Sequence, residues 1–378
     1  MSPHLGFALN FDSPAFLELA DDPSRMFADN PEWRGRQSRP LYVLLTWALA
    51  RPFQHTPGLR AMYPHRAYPG SIVLNLAVLL LSLNIFVQIV APSPHNAVFA
   101  TMAGVLLFAN DCAKVFVWTP HQQLFNILEP LVCVLLVVRT AERAMFSIAR
   151  AATYGLGTGV LMLAYGSFAL LVPAVCAGAL LRWHRGREPS GARVVAMCAA
   201  AALACALAPI AWVGFVTHVT GGFHGSETAE YRQFVWMADV WHRGGASRLG
   251  LVLMNFTARY ARALARGLLV PAFAAGGLIL LRLAAWERTV IVARARAVTL
   301  VACAVSLVLN LVFFWLLGFY EPRLTVAVTP PLLVGVATLA AGVVEPEPAY
   351  RRRVILLVFA AAVVAAQLWV VMKAGPWW

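Results

Sequence analysis

Charge is what this chain has least of. Asp, Glu, Lys and Arg make up 12% of its 378 residues, where a soluble domain carries about 25%. Hydrophobic residues make up 60% and mean hydropathy is +0.71. Together these exclude an ordinary soluble protein. The six cysteines, at positions 112, 133, 176, 198, 205 and 303, form no C-x-x-C pair, and five lie inside apolar blocks. They read as small core residues, not as metal ligands or disulfides. No H-x-x-x-H or H-E-x-x-H spacing occurs, so the histidines and acids of 218–245 carry no metalloprotease-type signature. No internal repeat is evident, and no apolar run falls in the first 40 residues.

What is present is a series of apolar blocks of membrane-spanning length. Ser71–Val90, Val194–Val216, Ala297–Leu317 and Val354–Val371 are the clearest. A helix crossing a bilayer core of ~30 Å needs about 20 such residues. The pattern predicts an all-α polytopic membrane protein with about ten crossings: 71–91, 97–109, 121–139, 151–165, 167–182, 192–217, 267–285, 297–318, 324–344 and 354–372. Three of these (97–109, 151–165 and 167–182) are short, and Tyr165-Gly166-Ser167 is the expected turn between two of them. Residues 41–53 and 247–266 are expected to be interfacial amphipathic helices lying in the headgroup plane.

The net charge of +13 would raise nucleic acid as a partner in a soluble protein. Here 14 of the 30 basic residues fall in four short loops. Arg139, Arg143 and Arg150 form the first, and Arg182, Arg185, Arg187 and Arg193 the second. Arg282, Arg288, Arg294 and Arg296 form the third, and Arg351–Arg353 the fourth. Lys and Arg collect in cytoplasmic loops, so these four are expected inside and the alternate loops outside. Nucleic acid is then not a partner. By the same parity 11 of the 17 acids lie on the outer side. Topology constrains acids little, so their excess points to an outward site.

Four segments bear chemistry on that side. Asp12 precedes a short amphipathic stretch ending in Asp21-Asp22, and Arg39-Pro40-Leu41-Tyr42 follows where the chain meets the interface. Asn110-Asp111 and Thr119-Pro120-His121 flank a short outer loop. The loop region 218–266 carries histidines, acids and the stripe Arg259, Arg262 and Arg266, which share one helical face. That stripe reads either as snorkelling to lipid phosphates or as a phosphate-binding face for a lipid substrate. Tyr320-Glu321-Pro322-Arg323-Leu324 makes a tight outer turn. Asp12 also reads as a helix cap, and the Asp111–His121 residues as caps at two membrane ends.

The order of these motifs resembles the GT-C class of integral-membrane glycosyltransferases. The resemblance rests on D-x-x-x-[YF]-L-x-L-A at Asp12–Ala20, R-P-L-Y at Arg39–Tyr42, the N-D…T-P-H loop at Asn110–His121 and Y-x-P-R-L at Tyr320–Leu324. It implies a GT-C-like fold with residues 1–70 as an outer first loop and 71–378 as the transmembrane domain. It further implies transfer of a sugar from a polyprenyl-phosphate-linked donor to a glycan, lipid or protein acceptor on the outer face of the plasma or inner membrane. Asp12 matches the first-loop acid that serves as base, and Asp111 a second outer acid. Arg39 and Arg323 match cations that hold the donor phosphate. Tyr42, His121, Arg259, Arg262, Arg266 and Tyr320 complete the expected substrate-binding set. No cofactor follows from the pattern, and dependence on a divalent metal is left open. Two features depart from the family: the aromatic after the acid is Phe16, where Tyr is common, and the doubled acid Asp21-Asp22 comes about nine residues late. A helix is also expected just before the first-loop acid, so an anchor helix upstream of residue 1, or a misplaced start, is expected. A transporter or flippase of an amphipathic anion, or a non-catalytic membrane subunit, is the alternative reading.

Overall fold

Apolar runs, capped at polar residues and broken at glycine and proline, set the architecture. The computed structural model describes residues 13–28, 37–53, 65–90, 97–143, 145–188, 190–223, 233–284, 294–318, 322–343 and 350–373. Side chains are not described for Ser13, Asp111, 278–284, 294–296, Pro322, Arg323, 340–343 and 350–353.

Helix α1 (Ser13–Asp21) is followed by a 3-10 turn (Pro23–Phe27), α2 (Pro40–Ala50) and the long α3 (Tyr68–Val90). Next come α4 (Ala97–Phe108), the single-turn α5 (Asp111–Phe116), a 3-10 turn at Gln122–Leu124 and α6 (Phe125–Glu142). Helices α7 (Ile148–Met162) and α8 (Leu171–His184) are joined by Leu163–Tyr165 and a 3-10 turn at Gly166–Leu170, which places the reversal at the expected Tyr165-Gly166-Ser167. The chain continues through α9 (Gly191–Thr220), α10 (Val235–Ala284), α11 (Arg294–Leu317), α12 (Pro322–Thr325), a 3-10 turn at Val326–Val328, α13 (Thr329–Val343) and α14 (Tyr350–Lys373).

Among the described residues there is no strand, and six helical segments are long and apolar enough to cross a membrane. They are Tyr68–Val90, Gln122–Glu142, Gly166–His184, Gly191–Thr220, Ala297–Leu317 and Val354–Lys373, with Ala97–Phe108 and Val326–Leu339 as shorter apolar helices. Their lipid-type surfaces are apolar: Leu80, Leu203, Leu207 and Ile210 are each at least 60% exposed. An apolar exterior of this kind needs a hydrocarbon solvent.

Local chemistry fixes the helix ends. Asn110 caps α5 by accepting from the Ala113 N–H at 2.9 Å, and Ser147 caps α7 by accepting from Arg150 N–H at 3.2 Å. These side chains satisfy donors that the first turn leaves unpaired. Gly221, at φ +76°, ends α9 in the left-handed conformation that glycine adopts without strain.

Helices α7 and α9 lie in close contact because small residues face each other. A Cβ on Gly155 would sit 2.1 Å from the Ala201 carbonyl oxygen, and one on Gly159 would sit 2.2 Å from that of Cys205. Such a small-xxx-small seam lets membrane helices approach backbone to backbone. Gly70 plays the same part where α3 meets α2.

Two arginine-rich loops meet at one end of the bundle. Arg187 Nη1 donates to the Glu142 carbonyl at 3.0 Å, and Arg182 donates to the Arg143 carbonyl. The buried Glu188 carboxylate lies 3.7 Å from Arg182 and 3.8 Å from Arg193. Gln88, near the end of α3, lies 3.5 Å from Arg139 and so belongs to this end.

One expected boundary is not a break. Helix α10 is kinked at Gly244-Gly245, where Gly245 has φ +61°, and then runs without interruption to Ala284. The segment expected in the headgroup plane, 247–266, therefore belongs to the same helix as the expected span 267–285, with Pro271 inside that span. At 1.5 Å per residue, Ala246–Ala284 is roughly 58 Å long and exceeds one bilayer core.

Candidate functional site

The α6 end of the bundle, opposite the Arg139–Arg150 loop, carries a buried cluster of polar and aromatic side chains. Gln122 to Glu142 spans about 30 Å at helical rise, so the two features sit a membrane thickness apart. Helices α1 and α2 cap the cluster. Phe16 of α1 is 1% exposed, with its ring centroid 5.4 Å from Tyr42 of α2 and 6.1 Å from His121. His121 is also 5.4 Å from the Phe116 ring at the end of α5. Tyr42 meets Phe125 at 6.5 Å, and Phe125 stacks on Tyr165 at 6.2 Å.

Arg39, at the start of α2, enters this aromatic wall. Its guanidinium donates to Gln122 Oε1 and lies 5.2 Å over the Tyr165 ring. A planar, weakly hydrated cation suits such a position better than an ammonium. Main-chain bonds hold the cap in place. Leu41 N–H donates to the Leu163 carbonyl at 3.1 Å, and Trp212 Nε1 of α9 donates to the Gln37 carbonyl at 2.6 Å.

Three of the expected site residues thus come together: Arg39, Tyr42 and His121. Asp12 and Tyr320 lie outside the described residues. Asp111 is the first residue of α5, about 7.5 Å along that helix from Phe116, but its side chain is outside the described set. So is that of Arg323, whose helix α12 leads into the Val326–Val328 turn packed on α6. Arg259, Arg262 and Arg266 are exposed on α10 and are not part of the cluster. The opposite face of α10 packs on α11, where Tyr260 meets Phe314 and Leu317 and Trp315 Nε1 donates to Thr257 Oγ1 at 3.1 Å. Arg259 is therefore level with the last turn of α11, and Arg266 is about 10 Å further along the helix.

The structure separates the first-loop acids. Asp21 accepts from the Ala67 N–H at 2.6 Å through one oxygen and lies 3.2 Å from His65 Nδ1 through the other, which ties α1 to the start of α3. Asp22 caps the following turn: its carboxylate accepts from the Ser24 hydroxyl at 2.5 Å and lies 3.6 Å from Arg25. The Ser24 hydrogen bonds hold the Asp22 carboxyl below the usual carboxylate range. Both are occupied in structural contacts.

Several side chains here stand apart from the expected set. Gln122, Gln123, Asn126 and Glu129 are all buried on α6 or the turn before it. The spacing 122, 126, 129 marks one helical face, and that periodic polar stripe inside an apolar span was the signal available in the sequence. Among the described residues, Gln122 Nε2, Asn126 Oδ1 and Ser167 Oγ are buried without a hydrogen-bond partner. Buried polar atoms are nearly always paired, so a concentration of such atoms marks a place built for something other than packing. Burial pushes the Tyr42 phenol far above its ordinary range, so it acts as a neutral hydrogen-bond donor and not as a base. No group of three or more His, Cys, Asp or Glu placed to hold a metal occurs among the described residues.

The fold and the composition of its surface define an integral membrane protein of the all-α class. No family model, curated protein or solved structure matches the chain.

Proposed function

We propose that this protein is an integral-membrane glycosyltransferase with a GT-C-like bundle of about ten crossings. It moves a sugar from a polyprenyl-phosphate-linked donor to an acceptor at the face of the plasma or inner membrane opposite the arginine-rich loops. The observation that carries this reading is the Arg39–Tyr42–His121–Gln122 cluster, capped by helices α1 and α2, in which the buried Gln122 Nε2 has no hydrogen-bond partner among the described residues. The chemistry asks for three elements. A carboxylate takes the acceptor hydroxyl proton as its oxygen bonds the anomeric carbon; Asp12 is the first assignment and Asp111 the second. Cations stabilise the departing polyprenyl phosphate as the glycosidic C–O bond breaks; Arg39, Arg323 and the α10 arginines supply them. A lipid-facing surface holds the prenyl chain so that the reacting atoms are aligned. Attack opposite the phosphate inverts the anomeric centre. Arg262 and Arg266 support the donor assignment, because exposed guanidinium groups below the end of α11 are costly unless they meet phosphate.

A second reading is a transporter of an amphipathic anion. It is favoured by Glu129, a fully buried carboxyl within a spanning segment.

Purified protein in lipid nanodiscs, supplied with radiolabelled hexosyl and pentosyl polyprenyl phosphates and a membrane-extract acceptor, tests the choice. Transfer of label, abolished by Asp12→Asn, is the expected result. Absence of transfer together with counterflow in proteoliposomes would sink the glycosyltransferase reading in favour of the transporter.

A further inference from the structure

A second polar cluster lies deeper in the bundle, where α6 meets α11. Asn126, Glu129, Ser306 and Asn310 are each fully buried there. Asn126 Nδ2 donates to Gln123 Oε1 at 2.8 Å, and Asn310 Nδ2 donates to the Ser306 carbonyl at 3.0 Å. Each amide nitrogen thereby commits one of its two N–H groups. The Oδ1 atoms of Asn126 and Asn310 are buried without a hydrogen-bond donor among the described residues, and the equally buried Glu129 carboxyl has Asn310 as its side-chain partner. Pro130 adds one more acceptor. It has no N–H to return to the Asn126 carbonyl four residues back. Asn126 and Glu129 share a helical face, and the Asn310 side chain borders the Glu129 carboxyl. Ser306 Oγ donates to the Pro130 carbonyl at 3.1 Å, which fixes α11 against the proline break.

The cluster therefore holds more oxygen acceptors than donors, with one carboxyl group and no ion pair among the described residues. Burying such a group uncompensated is costly. A proton would serve one oxygen pair and leave the amide and main-chain oxygens unmet. A cation meets several oxygens at once, as hard cations do. A single positive charge balances the single carboxylate, whereas a divalent ion would leave a net charge in the dry interior. Broken spanning helices that expose carbonyls are a recurrent setting for such ions.

We propose that Glu129, Asn126 and Asn310 bind one sodium ion inside the bundle, between α6 and α11. The site adjoins the capped cluster through Asn126, which donates to Gln123, and it stands whether the bundle transfers sugar or transports an anion.

The test is thermal unfolding of the detergent-purified full chain at pH 8, titrated with sodium chloride against choline and potassium chloride at constant ionic strength. A ligand that binds only the folded state raises the melting temperature, by about 4 °C at a hundred times its Kd for a chain of this size. The wild-type protein is expected to show a sodium-specific rise, and Glu129→Gln and Asn310→Leu are expected to lose it. Equilibrium dialysis of wild-type protein with radioactive sodium covers the case in which a variant fails to fold: saturable binding not displaced by potassium is expected. Equal melting in sodium and choline would overturn the proposal, as would an equal sodium response in wild type and Glu129→Gln. A sodium-independent melt that shifts with pH only in the wild type would replace the ion with a proton. Any of these outcomes leaves the sugar-transfer reading intact, because transfer is measured separately.

Discussion

The guanidinium of Arg39 lies 5.2 Å over the ring of Tyr165 while donating to Gln122. One side chain therefore joins the first loop, the start of α6 and the α7–α8 turn. Lysine would keep the charge but lose the planar stack and the forked donors. Arg39→Lys is expected to lower transfer at least tenfold and to destabilise by about 0.5–2 kcal/mol, the range of a cation over an aromatic face. Transfer rate and melting temperature in the same preparation check this. Full activity in the lysine variant would remove Arg39 from donor binding.

The acids of the first loop are expected to separate by phenotype. Asp21→Ala leaves the Ala67 N–H and His65 without their partner and should cost about 1–3 kcal/mol of stability. Asp12→Asn should abolish transfer with an unchanged melting temperature. If Asp21→Ala melts like the wild type, the tie between α1 and α3 is not structural.

The α7–α9 seam makes a steric prediction. Gly155→Ala puts a methyl group where the Ala201 carbonyl lies 2.1 Å away, and overpacking of this kind costs about 1–3 kcal/mol. Gly157→Ala is the control. Nothing lies within 4 Å of its added methyl, and alanine should stabilise the helix by up to about 1 kcal/mol. Equal melting temperatures in the two variants would contradict the close contact.

Tyr42 sets an alkaline limit. Burial raises its phenol in the folded state, so the folded protein keeps a proton that the unfolded chain releases near pH ~10. Its contribution to stability is full below that pH and is lost as pH rises toward the folded value. Absorbance at the tyrosinate band should show a phenol that ionises only with unfolding, and Tyr42→Phe should remove it. The hydroxyl has Thr46 as its side-chain hydrogen-bond partner, so Tyr42→Phe should cost about 0.5–1.5 kcal/mol of stability at neutral pH.

The α10 stripe is exposed, so its loss should spare the fold. Replacing Arg259, Arg262 and Arg266 by Ala should leave the melting temperature within about 1 °C, as surface changes usually do. The KM for the donor should rise several-fold with little change in kcat. A fall in kcat alone would place the stripe outside donor binding.

Much of the helical plan was legible in the sequence. Apolar runs near 20 residues located the helices, and the Tyr165-Gly166-Ser167 reversal falls where glycine interrupts the apolar pattern. The continuity of 246–284 was not legible, because its arginines mark a change of surface chemistry at 266 while the helical backbone runs on past it. The polar line Gln122, Asn126 and Glu129 was readable as a helical stripe but was masked by the apolar residues between its members.

By itself the sequence determined that this chain is a helical membrane protein and that 14 of its 30 basic residues gather around four helix junctions. Those properties depend on local length and on transfer of side chains into hydrocarbon, and neither needs a partner. Tertiary structure alone decided that Arg39 meets Gln122, that Asp21 ties α1 to α3 while Asp22 caps a turn, and that Glu129 faces Asn310. Each depends on which helix faces packed together, and helix packing is set by shape across segments far apart in the chain.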